Sequence, residues 1–250
     1  MAVRPRSHRG SGQHFLRSSK LATELVRAAR VQRGDLVLDL GAGTGALTSA
    51  LRGAGARVVA VEIDPVLADG LRQRFPGTQV HAGDALRVPL PREPFSVVAN
   101  LPFDGATSIM RRLLEPSVQL KAANVIVEWR FATKRAAVWP STQLSTYWSA
   151  WFELSVERRL SRSVFAPPPS VDAAVFRAVR RAEPLVPEAD ARRYAAFLAR
   201  GYRAGPRGVV PWSRLKKGEA ELGFDRHASA RDLDAHQWAA LFMDAVRRNA

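Results

Sequence analysis

The stretch Asp39-Leu40-Gly41-Ala42-Gly43-Thr44-Gly45 constrains the fold more than any other part of this chain. It follows the apolar run Leu36-Val37-Leu38 and precedes a helical pattern beginning at Ala46. Strand, glycine turn and helix, in that order, open a nucleotide-type α/β fold. Glycines are needed because the turn is tight and the backbone must come close to a ligand. An ordinary strand-to-helix turn can use the same residues. Dehydrogenases and methyltransferases both use such a turn, so residues later in the chain must decide between them.

The alternation continues downstream. Strands are expected at 36–40, 57–62, 78–82, 95–100 and 124–129, with helices at 46–52, from Pro65 and at 108–114. The aromatic-rich stretch 147–160 and the run 173–179 read as two late strands, an antiparallel closing pair. Alternating strands and helices imply a parallel sheet wound on both faces. Phe165-Ala166-Pro167-Pro168-Pro169-Ser170-Val171-Asp172 is a stiff extended loop, because three prolines exclude helix and sheet interior. A helix at 18–30, with Ser18 or Ser19 as its cap, precedes the first strand. Helices at 187–204, 213–222 and 232–248 end the chain. The expected fold is a doubly wound, mostly parallel, seven-stranded Rossmann-like sheet with a small all-α C-terminal domain. Residues 1–11 form a flexible basic arm, 12–180 the main domain and 181–250 the helical domain.

Charge narrows the partners. The 250 residues carry 38 Lys or Arg against 23 acids, a formal charge of +15, for which a polyanion is the natural counterpart. With no cysteine, disulfides, thiolate metal sites and cysteine nucleophiles are excluded. No metal site is expected. No apolar run of about 18 residues suggests a membrane span, and the basic N-terminus lacks an apolar segment behind it. A cytoplasmic monomer is the expectation.

Three positions bear the chemistry. Glu62 ends the second strand 62 − 41 = 21 residues after the first glycine, where an acid can accept both hydroxyls of a ribose. Asp84, in Gly83-Asp84-Ala85-Leu86, can accept from an adenine amino group; it can equally cap a helix. Asn100-Leu101-Pro102-Phe103 follows the fourth strand and discriminates between the classes. A purine amine is a poor nucleophile because its lone pair is delocalised into the ring. The Asn100 amide oxygen and the Leu101 carbonyl can accept its two N–H bonds and favour the more tetrahedral nitrogen of the transition state. Phe103 offers a face for a base to stack on.

Together, Gly12–Leu16, Asp39–Gly45, Glu62, Gly83–Leu86, Asn100–Phe103 and Phe165–Asp172 resemble the S-adenosylmethionine-dependent rRNA adenine N6-methyltransferases. That family includes the small-subunit dimethyladenosine transferases and the erythromycin-resistance enzymes. The resemblance implies that His14 and Leu16 contact the cofactor. It implies that Gly41 and Gly43 flank the cofactor's methionine part, that Glu62 holds the ribose and that Asp84 with Ala85 holds the adenine. Asn100 would receive the target amine beside the cofactor, with Leu101. Phe103 and Phe165 would stack on the two faces of the base. RNA contacts fall to Arg4, Arg6, Arg9, Lys134, Arg135, Lys216 and Lys217. Trp129 to Arg135 and Trp148 to Glu153 resemble the resistance branch, which modifies 23S rRNA. Two positions depart from the pattern: His14 replaces a usual Asn, and Arg130 replaces a usual Glu.

Other readings remain. A small-subunit (16S) dimethyltransferase shares the motifs. A non-catalytic RNA-binding or transcription-factor relative keeps the fold, but here Glu62, Asp84 and Asn100 are intact. A nicotinamide enzyme usually has its third glycine at the position of Ala46, and a DNA adenine methyltransferase usually has Pro at the position of Leu101.

Overall fold

The computed structural model describes residues 14–247; the predicted arm, with Arg4, Arg6 and Arg9, lies outside them. Seven strands form the main sheet: β2 (Leu36–Leu40), β3 (Arg57–Glu62), β4 (Gln79–Ala82), β5 (Phe95–Asn100), β6 (Leu120–Glu128), β7 (Phe152–Leu160) and β9 (Ala173–Arg180). Their order is β4-β3-β2-β5-β6-β9-β7. β2 pairs in parallel with β3 and β5, β3 with β4, and β5 with β6. The chain therefore runs outward from β2 to β4, then crosses back to lay β5 beside β2. That reversal opens a crevice at the carboxyl ends of β2 and β5, where ligands bind in such sheets. The glycine turn leaves β2 and the Asn-Leu-Pro-Phe stretch leaves β5 at this crevice.

Local chemistry sets the helices around it. Ser18 caps α1 (Ser19–Ala28), its hydroxyl accepting from Leu21 N–H at 3.2 Å. α1 buries Leu21, Leu25 and Val26, and α2 (Ala46–Gly53) buries Leu47 and Leu51 in the same core. Asp64 caps α3 (Pro65–Arg74), accepting from Val66 N–H at 2.8 Å, and Pro65 occupies a position where its missing N–H costs nothing. α4 (Ala106–Leu113) follows β5 and buries Ile109, Met110 and Leu113. A second, two-stranded sheet pairs β1 (Phe15–Leu16) antiparallel with β8 (Phe165–Ala166). It ties the start of the described chain to the proline-rich loop.

Two segments differ from expectation. Residues 147–160 are not one strand. Thr142 and Ser145 form a capping box that starts α6 (Gln143–Ser149), and β7 begins only at Phe152. Leu144, Tyr147, Trp148 and Trp151 are spaced for a helix face, while their aromatic content suggests strand. β6 starts at Leu120, and α5 (Trp129–Ala136) follows directly, a helix that the sequence pattern left unassigned.

The chain divides into two compact units, one of residues 1–113, 119–129 and 157–176, the other of 114–118, 130–156 and 177–250. The second unit takes in α5 and α6, which a boundary at 180 leaves in the first. It also holds α7 (Ala191–Ala204), α8 (Trp212–Leu222) and α9 (Ala235–Val246). Its core is aromatic: Tyr194 lies 5.2 Å from Phe242 and 5.9 Å from Trp151, and Phe197 lies 5.9 Å from Trp238. A Cβ at Gly201 would stand 2.4 Å from the Trp238 ring, so glycine there lets α7 approach α9.

Candidate active site

The glycine turn is built by positive φ. Gly41, Gly43 and Gly45 have φ of 74°, 56° and 84°, which side-chain-bearing residues rarely adopt. Gly43 and Gly45 are also crowded. A Cβ on Gly43 would meet the Phe15 ring at 2.7 Å, and one on Gly45 would meet Phe75 at 2.5 Å and Leu71 at 2.7 Å.

Beneath the turn, Asp39 and Glu62 are both buried. Glu62 braces the loops: one oxygen accepts from Gly43 N–H at 2.7 Å and the other from Asp64 N–H at 2.9 Å. Each carboxylate oxygen has two lone pairs, so both retain acceptor capacity for a ligand hydroxyl. Asp39 accepts from the Thr48 hydroxyl at 2.6 Å, while its other oxygen has no partner among the described residues. Burial pushes its carboxyl up to about 7; the Thr48 bond opposes the shift and the Glu62 charge adds to it.

Asn100 is oriented by the backbone. Its Nδ2 donates to the His14 carbonyl at 2.6 Å. A carbonyl only accepts, so the amide cannot be flipped, and Oδ1 is left as a buried acceptor with no partner among the described residues. Such orphaned acceptors are rare because they are costly, and a ligand donor would relieve this one. His14 is itself fixed: its Nδ1 donates to the Pro167 carbonyl at 2.9 Å, and its ring lies 5.7 Å from that of Phe103.

A pocket of ≈120 Å³ unites these groups. His14, Phe15, Gly41, Gly43, Glu62, Ile63, Asn100, Leu101, Pro102 and Phe103 line it. Seven of the predicted site residues, His14, Gly41, Gly43, Glu62, Asn100, Leu101 and Phe103, thus meet. Phe15 and Pro102 lie within the recognised motifs without a role of their own there, and Ile63 escaped the sequence reading. Ile63 is 57% exposed directly after a buried strand-ending acid, an apolar platform at the rim. A larger depression of ≈800 Å³ along β2, β3 and β4 contains none of the predicted residues.

Other predicted residues lie elsewhere. Asp84 and Ala85 do not line the pocket. Asp84 accepts from Leu86 N–H at 2.8 Å, a local turn, and the Ala85 carbonyl accepts from Arg112 at 2.7 Å. Leu16 and Phe165 are buried in the hydrophobic core, opposite each other in the β1–β8 pair. Phe165 is fully buried there, so its ring has no open face for a base. Arg135 donates to Thr142 at 3.0 Å and lies over the rings of Phe131 and Trp148, tying α5 to the start of α6. Lys217 pairs with Glu221 at 3.3 Å. Lys134 and Lys216 belong to the second unit, away from the pocket-forming residues in sequence, and have no ion pair among those described.

A switch-point crevice with a glycine turn, a strand-end acid with acceptor capacity to spare and an oriented Asn acceptor is the kind of site used by S-adenosylmethionine-dependent methyltransferases of the amine-modifying class. The chain belongs to the ribosomal RNA adenine dimethylase family, whose profile matches residues 5–201. It is 30% identical over 246 residues to an rRNA adenine N-6-methyltransferase of Bacillus licheniformis, covering 93% of this chain and 85% of that one. It is 32% identical over 239 residues to the mycinamicin-resistance protein MyrB of Micromonospora griseorubida, covering 92% and 76%. A small-subunit rRNA methyltransferase A of a Synechococcus is 33% identical over 252 residues, covering 92% and 90%. Among solved structures, the 23S rRNA methyltransferase ErmE superimposes with a TM-score of 0.82 at 28% identity, covering 93% of this chain and 99% of that one. The enzyme is therefore an S-adenosylmethionine-dependent rRNA adenine N6-methyltransferase.

Proposed function

We propose that this enzyme methylates N6 of an adenine in 23S rRNA and so confers macrolide tolerance. The observation that carries the chemistry is the buried, oriented Asn100 Oδ1 beside Phe103, which has no partner among the described residues. Oδ1 accepts one N–H of the target amine, and the Leu101 carbonyl is the second acceptor. Both bonds strengthen as the nitrogen becomes tetrahedral and its N–H groups become more acidic, so they stabilise the transition state more than the ground state. Phe103 stacks on the unpaired base. Glu62 holds the ribose of the cofactor, and Ile63 takes its base face. S-adenosylmethionine, bound there, supplies an electrophilic methyl group on a sulfonium. Asp84, one residue beyond Gly83, whose N–H donates to the Glu62 carbonyl at 2.8 Å, takes the cofactor's adenine with Ala85, and Phe165 acts as support for the wall rather than as a stacking surface.

The 23S target is favoured by likeness to ErmE over nearly the whole of that chain, helical part included. We further propose that the protein works as a cytoplasmic monomer; no helix among the described residues is long and apolar enough to cross a membrane. Transfer of a tritiated methyl group to 23S and 16S rRNA, assayed side by side, tests the reading. Label in 23S rRNA, lost with Asn100→Ala, is expected. Label confined to 16S rRNA would move the enzyme to the small-subunit branch.

A further inference from the structure

A groove of ≈730 Å³ runs between α1 and α2, and its walls include Arg17, Arg27 and Arg74 with the hydroxyls of Thr23, Thr44 and Ser49. Among the described residues no acid lines it. Elsewhere in the first unit Arg57, Arg72, Arg158 and Arg159 each pair with a carboxylate. Arg17 and Arg27 have no such partner among the described residues. Arg74 donates to the Thr44 carbonyl at 3.0 Å, which fixes its charge at the glycine turn.

The groove also begins at the active site. Arg17 follows Phe15 and Leu16 on β1, and Phe15 lines the pocket; Thr44 lies between Gly43 and Gly45. From Ser19 to Arg27 α1 advances about 12 Å at 1.5 Å per residue, and Arg17 lies two residues before it, so the two arginines are on the order of 15 Å apart along the groove. A stacked strand at ~3.4 Å per nucleotide covers that length in about four nucleotides. Guanidinium groups suit phosphate oxygens, and hydroxyls suit both phosphate oxygens and 2′-hydroxyls.

We propose that the α1–α2 groove carries the RNA strand that flanks the target adenine, with Arg17 and Arg27 on its phosphates. This rests on the rRNA substrate proposed above. The site is distinct from the pocket that receives the base and from the lysines of the helical C-terminal region. It explains how one flipped base is held in register: the strand is gripped several nucleotides away, on the same compact unit as Asn100.

The test is the salt dependence of binding to a 23S hairpin transcript that contains the target adenine. For Arg17→Ala/Arg27→Ala, the slope of log affinity against log salt should become shallower by about 1.4, at ~0.7 for each single-strand phosphate that the protein no longer neutralises. Arg17→Lys/Arg27→Lys should keep the wild-type slope, since the charges remain. S-adenosylmethionine affinity and melting temperature, measured on the same variants, should match wild type. An unchanged slope in the alanine variant overturns the proposal, as does a lysine variant that falls as far as the alanine one. Failure of the wild type to methylate 23S rRNA would instead overturn the proposed function, because the slope is read without methyl transfer.

Discussion

Asn100→Ala is the sharpest perturbation of this site. Among the described residues the wild-type amide makes one bond, Nδ2 to the His14 carbonyl at 2.6 Å, and Oδ1 is buried without a partner. Truncation removes both ends, with different consequences. Losing the bond to His14 costs on the order of 1 kcal/mol of stability, and removing an unsatisfied acceptor returns part of that. Losing Oδ1 removes an acceptor that acts mainly in the transition state. By analogy with deletion of one preorganised hydrogen-bonding group, transfer should slow roughly 100- to 1,000-fold, or ~3–4 kcal/mol. Asn100→Asp separates the two ends. It retains an acceptor oxygen but sets a carboxylate against the His14 carbonyl, so it should be less stable than the alanine variant and no more active. Single-turnover transfer of a tritiated methyl group gives the rate, and calorimetry gives cofactor affinity. A large fall in rate with little change in affinity is expected. A rate for Asn100→Ala within about threefold of wild type would refute it, since that corresponds to less than ~1 kcal/mol of transition-state stabilisation.

Other changes probe the surrounding shell. Glu62→Gln puts an amide NH2 against either Gly43 N–H or Asp64 N–H, so it should weaken S-adenosylmethionine by about 2 kcal/mol and lower the melting temperature; calorimetry showing wild-type affinity would contradict the ribose assignment. His14→Ala should lower the transfer rate by releasing the Pro167 carbonyl, and His14→Asn, which can still donate, should restore it; equal rates in the two variants would show that the bond is idle. Phe165→Ala should cost roughly 3–5 kcal/mol of stability, as a core residue does, and chemical denaturation with only a surface-like loss would return it to the base-stacking role. Asp39 has a carboxyl raised from 3.8 to about 7 by burial, so the folded state holds a proton that the unfolded state releases between those values. Its contribution is full below about pH 4 and is lost as pH rises to about 7, by at most ~4 kcal/mol. Asp39→Asn should remove this dependence, and parallel unfolding curves for wild type and variant across pH 4 to 7 would refute it.

Much of this enzyme was legible because its chemistry is local to strand ends. β2, β3 and β5 stand at the expected residues 36–40, 57–62 and 95–100, and Glu62 and Asn100 close two of them. An acid or amide at a strand terminus is delivered to the crevice by the parallel topology alone, so spacing along the chain suffices to find it. What sequence spacing could not supply was contact between distant segments. Phe15 rests on Gly43, the His14 carbonyl selects the Asn100 rotamer, and Pro167 holds the His14 ring. Those contacts depend on β1 pairing with β8, a two-residue register between chain positions 15–16 and 165–166 that carries no periodic pattern. The same pairing decides where Phe165 sits. The resemblance implies a base-stacking ring at the start of a stiff extended loop, whereas the register sets it against Leu16 and draws it into the core. Aromaticity marks a residue as one that gains from burial or stacking, and only the fold decides between the two. At Phe103 the fold leaves the ring in the pocket wall; at Phe165 it closes the core over it.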